Sequence, residues 1–213
     1  MASAPQFDDA FRARLRELLA WRRDVRHFRS DPLSEGAIER LMETACLAPS
    51  VGLSQPWRFV QVDAPERRAA IRANFTECNA AALAAQNDDR AAHYARLKLA
   101  GLDDAPCHLA VFADPDTEQG RGLGRLTMPE MVQYSAVAAA HTLWLAARAE
   151  GIGMGWVSIL DPEAVRVVLD VPASWRLIGY FCLGYPTAED DVPRLERDGW
   201  ETRRAADAFV VRR

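Results

Sequence analysis

The sequence predicts an α+β domain in which helices outweigh a small sheet, and three observations carry that prediction. Segments with apolar residues at helical spacing outnumber those that alternate as strands do, and the strands are not regularly interleaved with helices as a doubly wound parallel sheet requires. One stretch, Thr127 to Glu150, is apolar on nearly every side, which marks a helix buried in the core or at a subunit interface. The 213 residues, 49% of them hydrophobic, suffice for one substantial core, so residues 1–213 are expected to form a single domain.

From Asp8 to about Arg22, Phe11, Leu15, Leu18 and Leu19 recur at helical spacing among arginines, predicting an amphipathic helix. A second helix is expected after the Asp31-Pro32 turn, capped by Ser34, with Ile38, Leu41, Met42 and Ala45 on one face and an end before Pro49. Pro49 to Pro56 reads as a loop, and Trp57 to Val62 alternates as a half-buried strand. An alanine- and arginine-rich helical stretch follows, from about Pro65 to Lys98, polar enough to act as a lid over about 65–104. His108 to Ala113 reads as a buried strand and Asp114 to Leu126 as a loop. Thr127-Met128-Pro129-Glu130 has the form of a capping box, so the long helix should start there and end at Gly151, spanning roughly 30 to 35 Å. A strand around Gly155 to Leu160, a helix from Pro162 to Leu169 and a strand from Arg176 to Leu183 complete the regular structure. Gly184-Tyr185-Pro186 breaks it, and residues 187–213 read as an extended, charged arm.

Charge and composition narrow the function. A net charge of -4 with no basic cluster offers no polycationic face to nucleic acid or to a membrane surface, and no apolar run reaches spanning length. Cys46, Cys78, Cys107 and Cys182 lie far apart and are expected to be reduced, buried thiols. His27, His93, His108 and His141 form no metal-binding pair, and there is no Gly-x-Ser-x-Gly elbow, so metal catalysis and triad hydrolysis are disfavoured. Gly120 to Arg125 lacks the spacing of a phosphate-binding glycine loop and reads as surface loop. The start, with Asp8 and Asp9 and no apolar stretch, lacks the form of a signal peptide, and a cytoplasmic location is expected.

Three segments remain for chemistry. Arg22-Arg23-Asp24-Val25-Arg26-His27-Phe28 sets three guanidinium groups within five residues after a helix, a pattern suited to gripping phosphate, or alternatively a solvated basic helix end. Ala48 to Trp57, with Ser50, Ser54 and Gln55 between prolines, is either a stiff loop that reads a heterocycle's edge or an ordinary helix-to-strand connection. Gly151-Ile152-Gly153-Met154-Gly155 sets three glycines beside a strand start, either admitting a flat ligand or forming a helix cap and turn.

In this order, Arg22 to Phe28, Ala48-Pro49-Ser50 with Gln55-Pro56-Trp57, Gly151-Ile152-Gly153 with Trp156, and Leu183-Gly184-Tyr185-Pro186 resemble the nitroreductase-like flavoprotein superfamily across most of the chain. Asp24, Gly155 to Pro162 and Pro193 to Trp200 resemble its 5,6-dimethylbenzimidazole synthase family in particular. The resemblance implies a nitroreductase-like fold, with a small mixed sheet surrounded by helices and the long helix at its centre. It implies a homodimer with two flavin mononucleotide (FMN) sites at its interface. Arg22, Arg23 and Arg26 would hold the phosphate and ribityl end, assisted by Arg194, with Val25, Gly155 and Trp156 beside the flavin. Ser50 and Gln55 would come with their loop from the partner. Reduced FMN, delivered by a separate flavin reductase, would itself be the substrate, cut with dioxygen to 5,6-dimethylbenzimidazole, the lower ligand of cobalamin, and erythrose 4-phosphate. Asp24 would serve as base and Ser158 as hydrogen-bonding partner of the reacting ring. An FMN-dependent NAD(P)H nitroreductase or quinone reductase, and a non-catalytic flavin carrier, are the alternatives.

Overall fold

The computed structural model describes residues 4–95, 97 and 101–213. Helix α1 (Asp9–Trp21) starts where its sequence signal places it, with the Asp8 carboxylate accepting the Phe11 N–H at 2.8 Å. Helix α2 (Ala37–Ala45) is entered differently from the expectation. Its cap is Gly36 at φ +71°, a conformation glycine adopts without strain, and Ser34 serves instead through its carbonyl, which accepts the Ala37 N–H.

A four-stranded sheet forms the centre: β1 (Trp57–Gln61), β2 (Cys107–Ala113), β3 (Gly153–Val157) and β4 (Arg176–Gly184), in the order β1-β2-β4-β3. Each neighbouring pair of these strands is antiparallel, so the sheet is not mixed as expected; among the described residues, a parallel contact enters through an isolated bridge between Asp24 and Met154. β2 is buried along its whole length, and side chains alternate between two cores. Leu109, Val111, Phe181 and Leu183 pack with α2 and the long helix α5 (Met131–Ala149). Ala110, Phe112, Tyr180 and Cys182 face the other layer, built from α3 (Pro65–Ala84) and α6 (Pro162–Leu169). The stretch expected as one helix to Lys98 divides into α3 and α4 (Asp88–Tyr94); Lys98 lies outside the described residues, as does part of the expected lid.

The capping box of α5 does not form. The amides of Met131 and Val132 are satisfied by the carbonyls of Met128 and Pro129, a tight lead-in turn that leaves Thr127 outside the helix. At the other end Gly151, at φ +72°, closes the helix as expected, with the Ile152 N–H reaching back to the Ala147 carbonyl. α5 is buried on one side by Val132, Ala136, Ala139, Ala140, Leu143 and Ala147, but Tyr134, Val137 and His141 leave an exposed strip. α1 has no buried residue at all: Phe7, Phe11, Leu15 and Leu19 form a bare apolar row. Strand β3 begins and ends earlier than the sequence suggests, while α6 matches it, capped by Asp161. The arm after residue 187 carries a short helix α7 (Arg194–Arg197). All four cysteines are free; Cys107 and Cys182 are buried, but Cys46, at the end of α2, is exposed because it falls off that helix's apolar face.

A buried polar pair joins β2 to β4. His108 Nδ1 lies 2.9 Å from the Tyr180 hydroxyl, both residues almost wholly enclosed. Burial, reinforced by Arg68, pushes the His108 imidazole down to about 4. The unfolded chain, with an ordinary histidine near 6.5, therefore binds the proton first as pH falls, and stability present above 6.5 is lost towards pH 4. The expected loss is on the order of 3 kcal/mol, to be read from chemical denaturation at pH 7 and pH 4.5. His108→Asn should flatten that dependence in this window.

Candidate active site

The site grows from the free edge of the sheet. β3 is an outer strand, and the chain leaving α1 runs beside it as a parallel fifth segment. The Val25 N–H donates to the Met154 carbonyl at 3.1 Å, and the Trp156 N–H donates to Asp24 Oδ1 at 2.9 Å, so a side-chain carboxylate continues the ladder. Such an approach needs glycine on β3. A Cβ at Gly155 would run into the Val25 carbonyl oxygen, and one at Gly153 would lie 2.9 Å from Val25 Cγ2. Of the two uses expected for these glycines, Gly151 is the helix cap, while Gly153 makes room for the Val25 side chain and Gly155 for the Val25 backbone carbonyl. Gly155→Ala is expected to cost about 3 kcal/mol, the upper range for overpacking, and to displace Asp24; thermal unfolding and FMN binding would show both.

The seam fixes the arginines. Arg26 Nε donates to Asp24 Oδ2 at 2.8 Å and Arg26 Nη2 donates to the same oxygen, leaving the guanidinium largely enclosed. Arg22 lies over the Trp144 ring, 4.6 Å from its centroid, while the Trp144 indole N–H donates to the Arg23 carbonyl at 3.2 Å. Arg23 donates to the carbonyls of Arg22 and Asp191, but its Nε is buried without a hydrogen-bond partner among the described residues.

Two adjoining cavities share Arg23, Asp24, Arg26 and Arg194 in their walls. One extends past Trp144 and Arg148 towards Glu189. Its Arg148–Glu189 ion pair, through the hydrogen bond Arg148 gives, holds the Glu189 carboxyl below its ordinary range. The other gathers Arg22, Arg23, Arg26, Arg194 and Arg203. Two carboxylates also line it, Asp24, engaged by Arg26, and Asp198, which accepts from Arg194 Nε at 3.1 Å. Burial first, and then the charge of Arg203, lower the guanidinium pKa of both Arg22 and Arg23. This is a cavity with surplus positive charge and an orphaned buried donor, suited to an anion with several oxygens.

Arg203 was not foreseen. It lies in an irregular arm with no periodicity to mark a face, and the Arg203-Arg204 pair gave only a charge signal. The structure thus brings together Arg22, Arg23, Asp24, Val25, Arg26, Gly155, Trp156 and Arg194. Ser50 and Gln55 stand apart. Ser50 Oγ accepts the Gln55 N–H at 3.1 Å, and Gln55 Oε1 accepts from Gln119 at 2.8 Å; neither residue lines these cavities. Ser158 is exposed one residue past β3, its hydroxyl unbonded among the described residues, and it also lies outside both cavity walls.

Residues 19–185 match the model of the nitroreductase family. The 5,6-dimethylbenzimidazole synthase of Rhodospirillum rubrum is 58% identical over 96% of this chain and 97% of its own length. The enzyme of the same name from Rhodobacter capsulatus is 50% identical over 92% and 94%. In fold, the chain is similar to the crystal structure of oxidized iodotyrosine deiodinase bound to FMN and 3-iodo-L-tyrosine. The TM-score is 0.69 at 22% identity, covering 83% of this chain and 91% of that one. With sequence, topology and the arginine-lined seam in agreement, the chain belongs to the nitroreductase family, in its 5,6-dimethylbenzimidazole synthase branch.

Proposed function

We propose that the cavity beside β3 takes the phosphate and ribityl end of reduced FMN, and that the chain acts there as a 5,6-dimethylbenzimidazole synthase. The observation that carries this is the buried, partnerless Nε of Arg23 in a wall of five guanidinium groups, which fits a dianionic phosphate. Reduced FMN is the substrate and supplies the carbon framework, which dioxygen helps cut into 5,6-dimethylbenzimidazole and erythrose 4-phosphate.

This chain's residues take the following parts. Arg22, Arg23 and Arg26 hold the phosphate with Arg194, and Arg203 adds charge from the arm. Asp24 has two tasks: it aligns Arg26 and the Trp156 amide, and it accepts protons as the ribityl chain and ring are taken apart. Its present partners serve the first task, and Oδ2, now held by Arg26, is freed for the second when Arg26 turns to phosphate. Ser158, whose hydroxyl has no partner to give up, donates towards the reacting ring. Ser50 and Gln55, remote from the arginines of their own chain, complete the site of a second copy. A homodimer is supported by the bare apolar row of α1 and the exposed strip of α5, which together ask for cover. A separate flavin reductase supplies reduced FMN, and the site of action is the cytoplasm.

The experiment that tests this reading follows total flavin. Given reduced FMN and oxygen, the protein should deplete flavin; given NAD(P)H with a nitro or quinone acceptor, it should sustain no turnover. Flavin conserved through many rounds of NAD(P)H-driven acceptor reduction would replace the synthase by a conventional reductase.

A further inference from the structure

The turn that follows α7 contributes no guanidinium to the arginine cavity, yet it is closely tied by backbone hydrogen bonds. The Gly199 N–H bonds the Glu196 carbonyl and the Trp200 N–H bonds the Leu195 carbonyl at 2.8 Å, with Gly199 at φ +71°. This is the reversal that glycine permits at a helix end, and it throws Trp200 back towards α4. There the indole meets two side chains edge-on: His93 at 5.5 Å and Tyr94 at 6.2 Å between ring centroids. His93 Nε2 donates to the Asp198 carbonyl at 2.7 Å, and the buried Tyr94 donates its hydroxyl to Asn79 Oδ1 of α3 at 2.9 Å.

Asp198 therefore faces two ways. Its carbonyl holds α4 through His93, while its carboxylate holds Arg194, a wall of the arginine cavity. Leu97, just past α4, lines the same cavity. The arm thus touches the anion site with its arginines and α4 with its tryptophan.

We propose that Trp200 is a positioning residue that clamps α4 beside the arginine cavity, and that phosphate gripped by Arg194 tightens the clamp, so that FMN closes the site over itself. This rests on the reading of that cavity as the FMN phosphate site. Arg194 drawn onto phosphate fixes α7 and its turn, and the turn fixes Trp200 against His93 and Tyr94. Closure retains the reduced flavin while it reacts with oxygen, favouring fragmentation over release as intact oxidised FMN.

The test is amide hydrogen exchange on the full-length chain, with and without FMN, and separately with inorganic phosphate, followed by product analysis from reduced FMN under oxygen. In wild type, FMN should slow exchange both at Arg22–Arg26 and at the peptide holding His93 and Tyr94. Trp200→Ala should keep the first effect and lose the second, and should lower the ratio of dimethylbenzimidazole to recovered FMN about ten-fold, the scale of its two aromatic contacts. His93→Leu, which cuts the contact from the α4 side, should do the same, and Trp200→Phe should restore most of both. Inorganic phosphate alone should reproduce the slowing around His93 in wild type. Unchanged protection around His93 in Trp200→Ala, or a wild-type product ratio in both disruptive variants, would overturn the clamp. Should wild type bind FMN and protect both segments yet form no dimethylbenzimidazole, the synthase reading fails and the clamp stands.

Discussion

Replacing Asp24 by asparagine is expected to lower dimethylbenzimidazole formation by about 10²- to 10³-fold, the range a positioned proton acceptor contributes. The substitution keeps the size of the side chain and removes its charge. In the folded protein the carboxylate accepts from the Trp156 amide and from two nitrogens of Arg26. An asparagine has one acceptor oxygen: turned to Trp156 it presents an NH2 group to the Arg26 guanidinium, and turned the other way it confronts the Trp156 N–H. The seam along β3 is then weakened as well as the chemistry, so the two contributions need separating. The affinity for reduced FMN, measured anaerobically, reports the seam; the rate of product formation at saturating flavin reports the proton acceptor. A fall confined to affinity, with the saturated rate intact, would reduce Asp24 to an orienting partner of Arg26.

Arg23→Met is expected to weaken binding of reduced FMN by about 10- to 100-fold, corresponding to the loss of charge-assisted hydrogen bonds worth about 1.5 to 3 kcal/mol. Riboflavin, which lacks the phosphate, should bind the variant and the wild type alike. The free protein should lose less stability than affinity, because the hydrogen bonds Arg23 gives to the Arg22 and Asp191 carbonyls are offset by a buried donor without a partner among the described residues and by like charges from Arg22 and Arg203. Methionine keeps the apolar stem in place. The salt dependence of FMN binding should also become shallower, since one phosphate contact fewer is screened. Anaerobic titration with both flavins at two ionic strengths checks all of this. Equal losses for riboflavin and FMN would place Arg23 against the ring or ribityl chain instead of the phosphate.

The fold was legible where local chemistry decides it. Asp8 and Asp161 cap helices because their carboxylates meet amides a few residues on, and Gly151 ends α5 because only glycine enters its backbone conformation cheaply. The misreadings arose where a longer-range or competing contact intervened. Thr127 loses its capping role to carbonyls of the lead-in turn, and Gly36 supplants Ser34 at α2. The burial expected of α5, in the core or at a subunit interface, is seen on its core side, and the remaining strip is one that a single chain leaves uncovered.

The site divides in the same way. Arg22, Arg23, Asp24 and Arg26 were legible as a group because three guanidinium groups in five residues is a dense local signal. The partner that fixes them, the glycine-lined edge of β3, was visible as glycines but not as the reason for them. What Gly155 admits is the Val25 carbonyl, 130 residues earlier in the chain, and no local pattern records such an approach. Arg203 and the Trp200–His93 contact come from an irregular arm, where side-chain direction follows from one turn at Gly199 and not from any period. The resemblance to flavoproteins supplied what spacing alone did not: the proposal that Ser50 and Gln55 of one copy join the arginines of another, since one chain keeps them apart.

The measurement that bears most directly on the central claim is a product balance. Purified protein is mixed anaerobically with excess reduced FMN, oxygen is admitted, and the mixture is resolved by chromatography and mass spectrometry for 5,6-dimethylbenzimidazole and for remaining FMN. Dimethylbenzimidazole is expected in proportion to the FMN lost, with little product from Asp24→Asn or Ser158→Ala. Recovery of all the flavin as intact oxidised FMN would contradict that claim.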